Sequence, residues 1–249
     1  MSASRRRRMS TPPVELVERV VGTDDVEAYE RSGLELVDQL RELLSRLGYD
    51  LEQFRDIYDF GSGPGRLARA LHERLPEARV TATDVDEEAI AWLSENAPGI
   101  DVRVTSWLPP LPFDDGAFDL VIVISVFTHL PADYQDAWLA ELRRVTRPGG
   151  VVIATVHGEA HWRHTWQVGF RSAPRRVRLR AKALALERRV RGFAYWRGDG
   201  WERVFPDYYH TTWHRPGYVR RHWSRWFDVV RHEVATVPGT HDFVVLSAR

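Results

Sequence analysis

The stretch from Ile57 to Leu67 constrains the fold of this chain more than any other. Apolar residues lead into three closely spaced glycines and then recur at helical spacing, which predicts a buried strand, a tight turn and the start of a helix. Glycine allows positive φ and lets a ligand approach without a Cβ in the way. The first N–H groups of the helix have no partner inside it, so the turn offers donors to a polar or anionic group.

A second strand is predicted over residues 79–83, and it ends at Asp84. An acid about twenty residues past a glycine turn can accept hydrogen bonds from both ribose hydroxyls of an adenosine group. A dinucleotide site requires its third glycine at the position of Arg66, whereas here that glycine comes one place early, at Gly65. Asp59 would also repel the pyrophosphate of a dinucleotide.

The phrase from Asp59 to Gly65 resembles motif I of the class I S-adenosylmethionine-dependent methyltransferases, an acid followed by G-x-G-x-G. The resemblance implies that S-adenosylmethionine is the cofactor, that Asp59 lies near its amino group and that Asp84 binds its ribose. Val85, directly after that acid, is placed to touch the adenine. The backbone that passes the methionine and ribose parts would be that of Gly61, Ser62, Gly63 and Gly65.

The expected adenine contact departs from the pattern of related methyltransferases, in which an acid after the third strand often binds the adenine amino group. Ser106 and Trp107 occupy that position here, ahead of a Leu-Pro-Phe phrase typical of the family. Either Ser106 accepts the hydrogen bond or the Trp107 backbone serves; alternatively Trp107 belongs to the core, as most tryptophans do. The most apolar run begins at Phe118, resembles motif IV and ends at Ser125, which we expect on the cofactor side of the sheet.

Strands and helices alternate along residues 55–156, which favours a mostly parallel sheet with helices on both faces. Two last strands, Phe227–Val237 and His241–Ala248, are expected to form an antiparallel pair. The length of 249 residues suits one α/β domain with an insertion. The resemblance therefore implies a Rossmann-like α/β fold over residues 1–249, with a seven-stranded, mostly parallel sheet and one antiparallel strand.

Residues 1–50 are predicted to form a tail and a helical cap. The basic run Arg5–Arg8 lacks the apolar stretch that a signal peptide needs, so we expect a solvated tail. Apolar residues then recur at helical spacing over residues 14–49. This segment either packs on the edge of the sheet or forms a lid over the cofactor, in which case Tyr29 is expected to face the site.

Composition excludes several function classes. Lys and Arg together number 35, as do Asp and Glu, so the net charge does not favour a nucleic-acid partner. The absence of cysteine excludes disulfides, thiolate metal sites and cysteine nucleophiles. No apolar run is long enough to span a bilayer, and a cytoplasmic location is the expectation. The sequence does not reveal the oligomeric state.

Residues 158–214 interrupt the alternation and show no strand pattern, and insertions of this kind are usually functional or mobile. We expect a substrate lid. Its middle is basic, and apolar residues over 177–190 fit an amphipathic helix with a broad apolar stripe. Three interpretations stay open: a solvated helix docked on the domain, a surface for an anionic substrate, or peripheral contact with an anionic membrane.

The insertion ends in an aromatic cluster, which forms either the wall of a pocket for a sugar-like or ring substrate or a satellite hydrophobic cluster. Its members are Phe193, Tyr195, Trp196, Trp201, Phe205, Tyr208 and Tyr209. His210 and His214 follow it, and His129 comes just after the fourth strand. These three histidines are the candidates for a general base, although His129 equally fits a helix cap or the core.

Together these features predict in-line transfer of a methyl group from S-adenosylmethionine to a small molecule, with an oxygen acceptor favoured and an anionic or sugar-bearing molecule considered. Positioning the acceptor contributes about 7–11 kcal/mol in reactions of this kind. No His, Asp or Glu cluster has metal-ligand spacing, so the reaction is expected to be metal-independent. The alternatives are an NAD(P)-binding oxidoreductase and a non-catalytic RNA- or membrane-binding module on the same scaffold.

Overall fold

A computed structural model describes residues 10–197, 206–235 and 240–249. The chain divides into two compact units, one up to Trp107 and one from Leu108 onward. The predicted tail Arg5–Arg8 and the aromatic residues Trp201 and Phe205 lie outside the described residues. None of the described helices has the length and apolarity needed to cross a bilayer.

The first unit alternates helices with parallel strands. Its elements are α1 (Val14–Val21), α2 (Val26–Ser45), β1 (Asp56–Phe60), α3 (Arg66–Arg74), β2 (Arg79–Asp84), α4 (Glu87–Asn96) and β3 (Ile100–Val104). Asp25 caps α2, since its side chain accepts a hydrogen bond from the Ala28 N–H at 2.8 Å. Every residue of β1 is buried, and β1 and β3 each run parallel to β2. The segment over residues 14–49 is helical, as the spacing of its apolar residues predicts.

The second unit contains the rest of the large sheet and the insertion. Its elements are β4 (Phe118–Val123), α5 (Ala132–Val145), β5 (Thr146–Val156), α6 (Glu159–Thr165), α7 (Arg175–Arg191), β6 (Phe193–Trp196), β7 (Thr211–His214), α8 (Pro216–Trp223), β8 (Phe227–Glu233) and β9 (Asp242–Ala248). β4 and β5 are parallel, and β9 runs antiparallel to both β5 and β8.

The seven strands of the large sheet stand in the order β3-β2-β1-β4-β5-β9-β8. β9 is the strand inserted in the reverse direction, between β5 and β8. The predicted fold class, a mostly parallel seven-stranded sheet with one antiparallel strand and helices around it, is confirmed. The carboxyl ends of β1, β2, β4 and β5 lead into the residues that the sequence singles out, as expected for an open α/β sheet.

The insertion differs from its prediction, because it contains a small sheet of its own. β6 and β7 pair antiparallel, with Ala194 opposite Trp213. This hairpin, α6 and α7 enclose a second apolar core built mainly on four aromatic side chains. They are Trp162, Phe170, Trp196 and Trp213. The expectation that residues 158–214 lack strands is therefore wrong.

Candidate active site

The glycine turn of the first unit is tied to the neighbouring strand through its backbone. The N–H groups of Gly61 and Ser62 both donate to the Thr83 carbonyl, each at 2.9 Å. Gly65 then begins α3 in the left-handed region, with φ of 85°. A Cβ at Gly65 would overlap the Leu93 side chain of α4, so both the backbone angle and the packing require glycine here.

Asp84 lies at the end of β2 and is braced against this turn. Its Oδ2 accepts a hydrogen bond from the Gly63 N–H at 2.7 Å, and its Oδ1 accepts one from the Asp86 N–H at 2.9 Å. Burial raises the pKa of the Asp84 carboxyl, while backbone hydrogen bonds from Asp86, Gly63 and Val85 oppose the rise. A carboxylate has about four lone-pair directions, so the group keeps room for a further donor.

Asp59, on β1, is a second buried carboxyl beside the turn. Its Oδ2 accepts a hydrogen bond from the Ala68 N–H, in the first turn of α3, at 3.0 Å. Burial raises the pKa of Asp59 to about 7, against the effects of that hydrogen bond and of the Arg66 charge. A cation near this carboxyl would favour its ionised form.

The first two helices pack on the glycine turn and on α3. A Cβ built on Gly63 would lie 3.0 Å from Val20 Cγ2, which puts α1 directly over the turn. Arg19 fixes this helix by donating to Asp86 at 2.6 Å and to Glu88 at 2.8 Å. Tyr29 of α2 is fully buried, and its hydroxyl has no hydrogen-bond partner in the described part of the chain.

The first unit therefore has the features of a nucleoside site. It has a glycine turn at the start of α3, a braced acid with room for a further donor and an unpartnered buried hydroxyl on Tyr29. These features fit a ligand with ribose hydroxyls and a positive charge. Val85 is half-buried after Asp84, whereas Ser106 and Trp107 are exposed after β3.

Four histidines of the second unit lie together, and we call them the histidine cluster: His129, His157, His161 and His241. The rings of His157 and His161 are stacked with centroids 3.5 Å apart, and the His241 ring lies 4.8 Å from that of His157. His129 meets His157 edge-on at 5.7 Å and stacks on Tyr209 at 4.6 Å. No set of three or more such side chains in the described residues has the arrangement to hold a metal ion.

Hydrogen bonds assign the tautomers of the two stacked rings. His157 Nδ1 lies 3.0 Å from the Thr212 carbonyl, so it carries the proton and Nε2 keeps a lone pair. His161 Nδ1 accepts from Trp213 Nε1 at 3.0 Å, so its own proton is on Nε2. Burial and the neighbouring histidines lower the pKa of His157, and the same causes lower the pKa of His161 to about 4. Both rings are therefore neutral at neutral pH.

Ser125 is held beside this cluster in an unusual backbone conformation. Its φ is 61°, the one positive value recorded for a residue other than glycine in the described ranges. Its N–H donates to Thr155 Oγ1 at 2.8 Å, and its Oγ lies 3.4 Å from His241 Nδ1. Strained residues of this kind gather at functional sites, so Ser125 stays a candidate site residue.

Two of the three predicted base candidates have structural positions instead. His214 is fully buried, its Nε2 lies 3.0 Å from Gln135 Oε1, and burial lowers its pKa to about 3. His210 is also buried, and its backbone N–H donates to the His129 carbonyl at 2.9 Å. His214 has no access to a substrate in this structure, so we do not carry it into the proposed function.

Residues 57–150 match the sequence profile of a family described as a methyltransferase domain. The strand order and the glycine turn agree with that match. Over these residues the chain is similar to class I S-adenosylmethionine-dependent methyltransferases.

Among curated relatives, a demethylmenaquinone methyltransferase of Thermus thermophilus is 42% identical over 100 residues, 39% of this chain and 44% of that relative. A malonyl-[acyl-carrier protein] O-methyltransferase of Geobacter sulfurreducens is 27% identical over 175 residues, 68% of this chain and 64% of the relative. Both matches span less than two thirds of the relative's length. The crystal structure of the PH0226 protein from Pyrococcus horikoshii OT3 shares the fold with a TM-score of 0.56 at 18% identity, covering 86% of this chain and 91% of that one.

Proposed function

We propose that this chain transfers a methyl group from S-adenosylmethionine to an oxygen atom of a small molecule. The observation that carries the proposal is Asp84, which is fixed on the glycine turn by the Gly63 N–H while its carboxylate keeps room for a further donor. Two hydrogen bonds from ribose hydroxyls to a carboxylate contribute roughly 1.5–3 kcal/mol each.

On the cofactor side, each assignment is a role for residues of this chain. The backbone of the turn from Gly61 to Gly65 would lie along the ribose and methionine parts of S-adenosylmethionine. Asp59 would balance the positive charge of the amino group of the cofactor. Val85, Ser106 and Trp107 are assigned to the adenine. Tyr29 and Ser125 are assigned as further contacts, because one has an unpartnered buried hydroxyl and the other a strained backbone. When bound, the cofactor supplies an electrophilic methyl group.

On the acceptor side, we assign His129 as the general base. A hydroxyl acceptor loses its proton as its oxygen bonds to the methyl carbon, and a nearby neutral imidazole can take that proton. His157 and His161 support this role because their rings are neutral. An uncharged ring 5.7 Å from His129 does not repel the positive charge that His129 gains with the proton. The relative from Geobacter is itself named an O-methyltransferase. A carboxylate acceptor would need no base.

Calorimetric titration with S-adenosylhomocysteine tests the cofactor assignment. The wild-type chain should bind it, and Asp84→Asn should weaken binding more than tenfold, because one acceptor oxygen becomes an amide donor. Asp101→Asn removes an exposed acid on β3 and is the matched control. Tight binding of NAD in place of S-adenosylhomocysteine would transfer the chain to the oxidoreductases, and equal affinities of the two variants would remove Asp84 from the site.

Turnover of the His129→Gln variant tests the base assignment, once a screen with labelled methyl donor has found an accepted hydroxyl compound. We expect the rate of methyl transfer to fall on the order of a hundredfold while affinity for S-adenosylhomocysteine is unchanged. The rate of the wild type should depend on one basic group, and the variant should lose that dependence. His164→Gln is the control, because His164 is a partly exposed histidine of α6. Full activity of His129→Gln would exclude it as the base.

A further inference from the structure

Helix α7 carries two apolar stripes, and only one of them is buried. Ala181 and Leu184 pack into the aromatic core of the insertion. A second stripe is formed by Leu179, Ala183, Leu186 and Val190, and its three large side chains are 56%, 62% and 74% exposed. At about 100° per residue, these four positions lie within an arc of about 60°. The outer face of this helix is thus a continuous apolar ridge in solvent.

Basic side chains flank this ridge on both sides. α7 contains eight Arg or Lys residues and one Glu, although the whole chain has 35 basic and 35 acidic residues. Glu187 pairs with Arg191 at 3.2 Å. Within the ranges that the structure describes, Arg188 and Arg191 pair with acids and six of the cations have no acidic partner. They are Arg175, Arg176, Arg178, Arg180, Lys182 and Arg189.

The inner face holds α7 firmly to the insertion. The buried Arg188 donates to Glu159 at 2.8 Å and lies 5.0 Å from the centre of the Trp162 ring. Arg180 lies 4.5 Å over the ring of Trp196. Because the helix is already docked through these contacts, its outer face is presented in a fixed orientation and is available to a partner without unfolding.

The flanking charges decide what kind of partner suits the ridge. The spacing of the ridge, 179, 183, 186 and 190, is that of a coiled-coil seam, in which the flanking positions of the two helices face each other. In a pair of identical helices those positions would bring mostly Arg and Lys against Arg and Lys, because the acid among them, Glu187, is already paired with Arg191, and this is unfavourable. A partner surface with a negatively charged outer layer over an apolar interior would match both the apolar ridge and its basic flanks.

We propose that the outer face of α7 docks on the surface of an anionic lipid bilayer. The helix would lie in the plane of the interface, with Leu179, Leu186 and Val190 among the acyl chains. The flanking arginines and lysines would reach the lipid phosphates, their aliphatic stems along the ridge. This inference concerns a surface and is independent of the proposed methyl transfer.

Co-sedimentation of the full-length chain with vesicles tests this proposal. The wild type should bind vesicles that contain phosphatidylglycerol, should not bind pure phosphatidylcholine, and should dissociate as salt is raised. The triple variant Leu179→Ser, Leu186→Ser, Val190→Ser should lose at least tenfold in partitioning at unchanged net charge. The matched control is Val104→Ser with Val230→Ser, since these valines are exposed to 46% and 42% on the strands β3 and β8. Arg5–Arg8 is kept in every variant, so it cannot account for a difference.

Four results would overturn the proposal. If the wild type does not bind anionic vesicles, the outer face of α7 is not a membrane-binding surface. Binding that the triple variant retains in full comes from charge elsewhere in the chain. If the wild type binds polyglutamate but not vesicles, the ridge is assigned to an acidic protein partner. If the wild type does not bind vesicles but is a dimer, and the triple variant is a monomer, the ridge is assigned to a second copy of the chain. Thermal melting of each variant should match the wild type, because the substituted side chains are exposed.

Discussion

Leu93 is the reason why the third glycine of the turn stands at position 65. The left-handed backbone there, with φ of 85°, brings the position of a Cβ into the Leu93 side chain, so α4 closes over the turn. The early third glycine is also what separates the sequence from a dinucleotide-binding pattern. At this residue the glycine that gives the resemblance to motif I is also the glycine that the packing of the turn requires.

Substituting this glycine should therefore cost more than backbone strain alone. Gly48 has nearly the same φ, 84°, but nothing lies within 4 Å of the Cβ that a substitution would add. We expect Gly48→Ala to lower the free energy of unfolding by about 1–2 kcal/mol, the cost of a left-handed residue. Gly65→Ala should lose a further 1–3 kcal/mol or so, because Leu93 must move. Urea denaturation measures both, and equal losses would show that Leu93 gives way freely.

The residues of the turn were predictable because they are close in sequence and follow a known pattern. The histidine cluster was only partly predictable. His129 was found because it follows a strand, and the same signal marks His157, which comes directly after β5. His161 and His241 reach the cluster through α6 and β9, and no spacing in the sequence connects them. The burial of His214 depends on Gln135, 79 positions away, and cannot be read from the residues around it.

At the scale of elements, the alternation of strands and helices between residues 55 and 156 predicts the sheet well, because each element is long enough to show its own period. The insertion does not behave in this way. β6 has four residues and no polar alternation, so its pairing with β7 is visible only in three dimensions. In α7, apolar residues on two faces add up to what reads as one broad stripe, whereas the structure buries one face and exposes the other.

The role of α1 can be tested through its ion pairs. Arg19 reaches Asp86 and Glu88 on α4, so Arg19→Gln should loosen α1 by at most about 1 kcal/mol, given that these side chains are partly exposed. Hydrogen exchange of the amides in α1 should become a few times faster. Arg41→Gln is the matched control, because Arg41 also bridges two acids, Asp38 and Glu52, away from the turn.

The same pair of variants separates the two roles that the sequence allows for this segment. If α1 is a lid, Arg19→Gln should weaken binding of S-adenosylhomocysteine several-fold and Arg41→Gln should not. Faster hydrogen exchange in α1 with unchanged affinity for S-adenosylhomocysteine would instead show that the helix only packs on the domain and is not a lid. The contact between Val20 and the position of a Cβ on Gly63 is the structural reason for expecting the first result.

At the scale of the whole molecule, buried titratable groups act on stability in opposite directions. Burial lowers the pKa of His157, His161 and His214, so the unfolded chain binds more protons at these sites and stability falls as the pH drops below about 6.5. Burial raises the pKa of Asp59 to about 7 and also raises the pKa of Asp84, so at these sites the native chain binds more protons and stability rises as the pH drops. The histidines and the aspartates therefore contribute slopes of opposite sign.

Single substitutions should resolve these opposing contributions between about pH 6.5 and 4.5. Each titrating group contributes about 1.4 kcal/mol per pH unit to the slope of unfolding free energy against pH. His161→Gln removes a group that stays neutral in the native chain down to about pH 4, so the slope should become shallower by that amount. Asp59→Asn removes a group protonated in the native chain below about pH 7 and should steepen the slope equally. Urea denaturation at several pH values measures the slopes, and a change of the same sign in both variants would contradict the assignment of burial as the cause of these shifts.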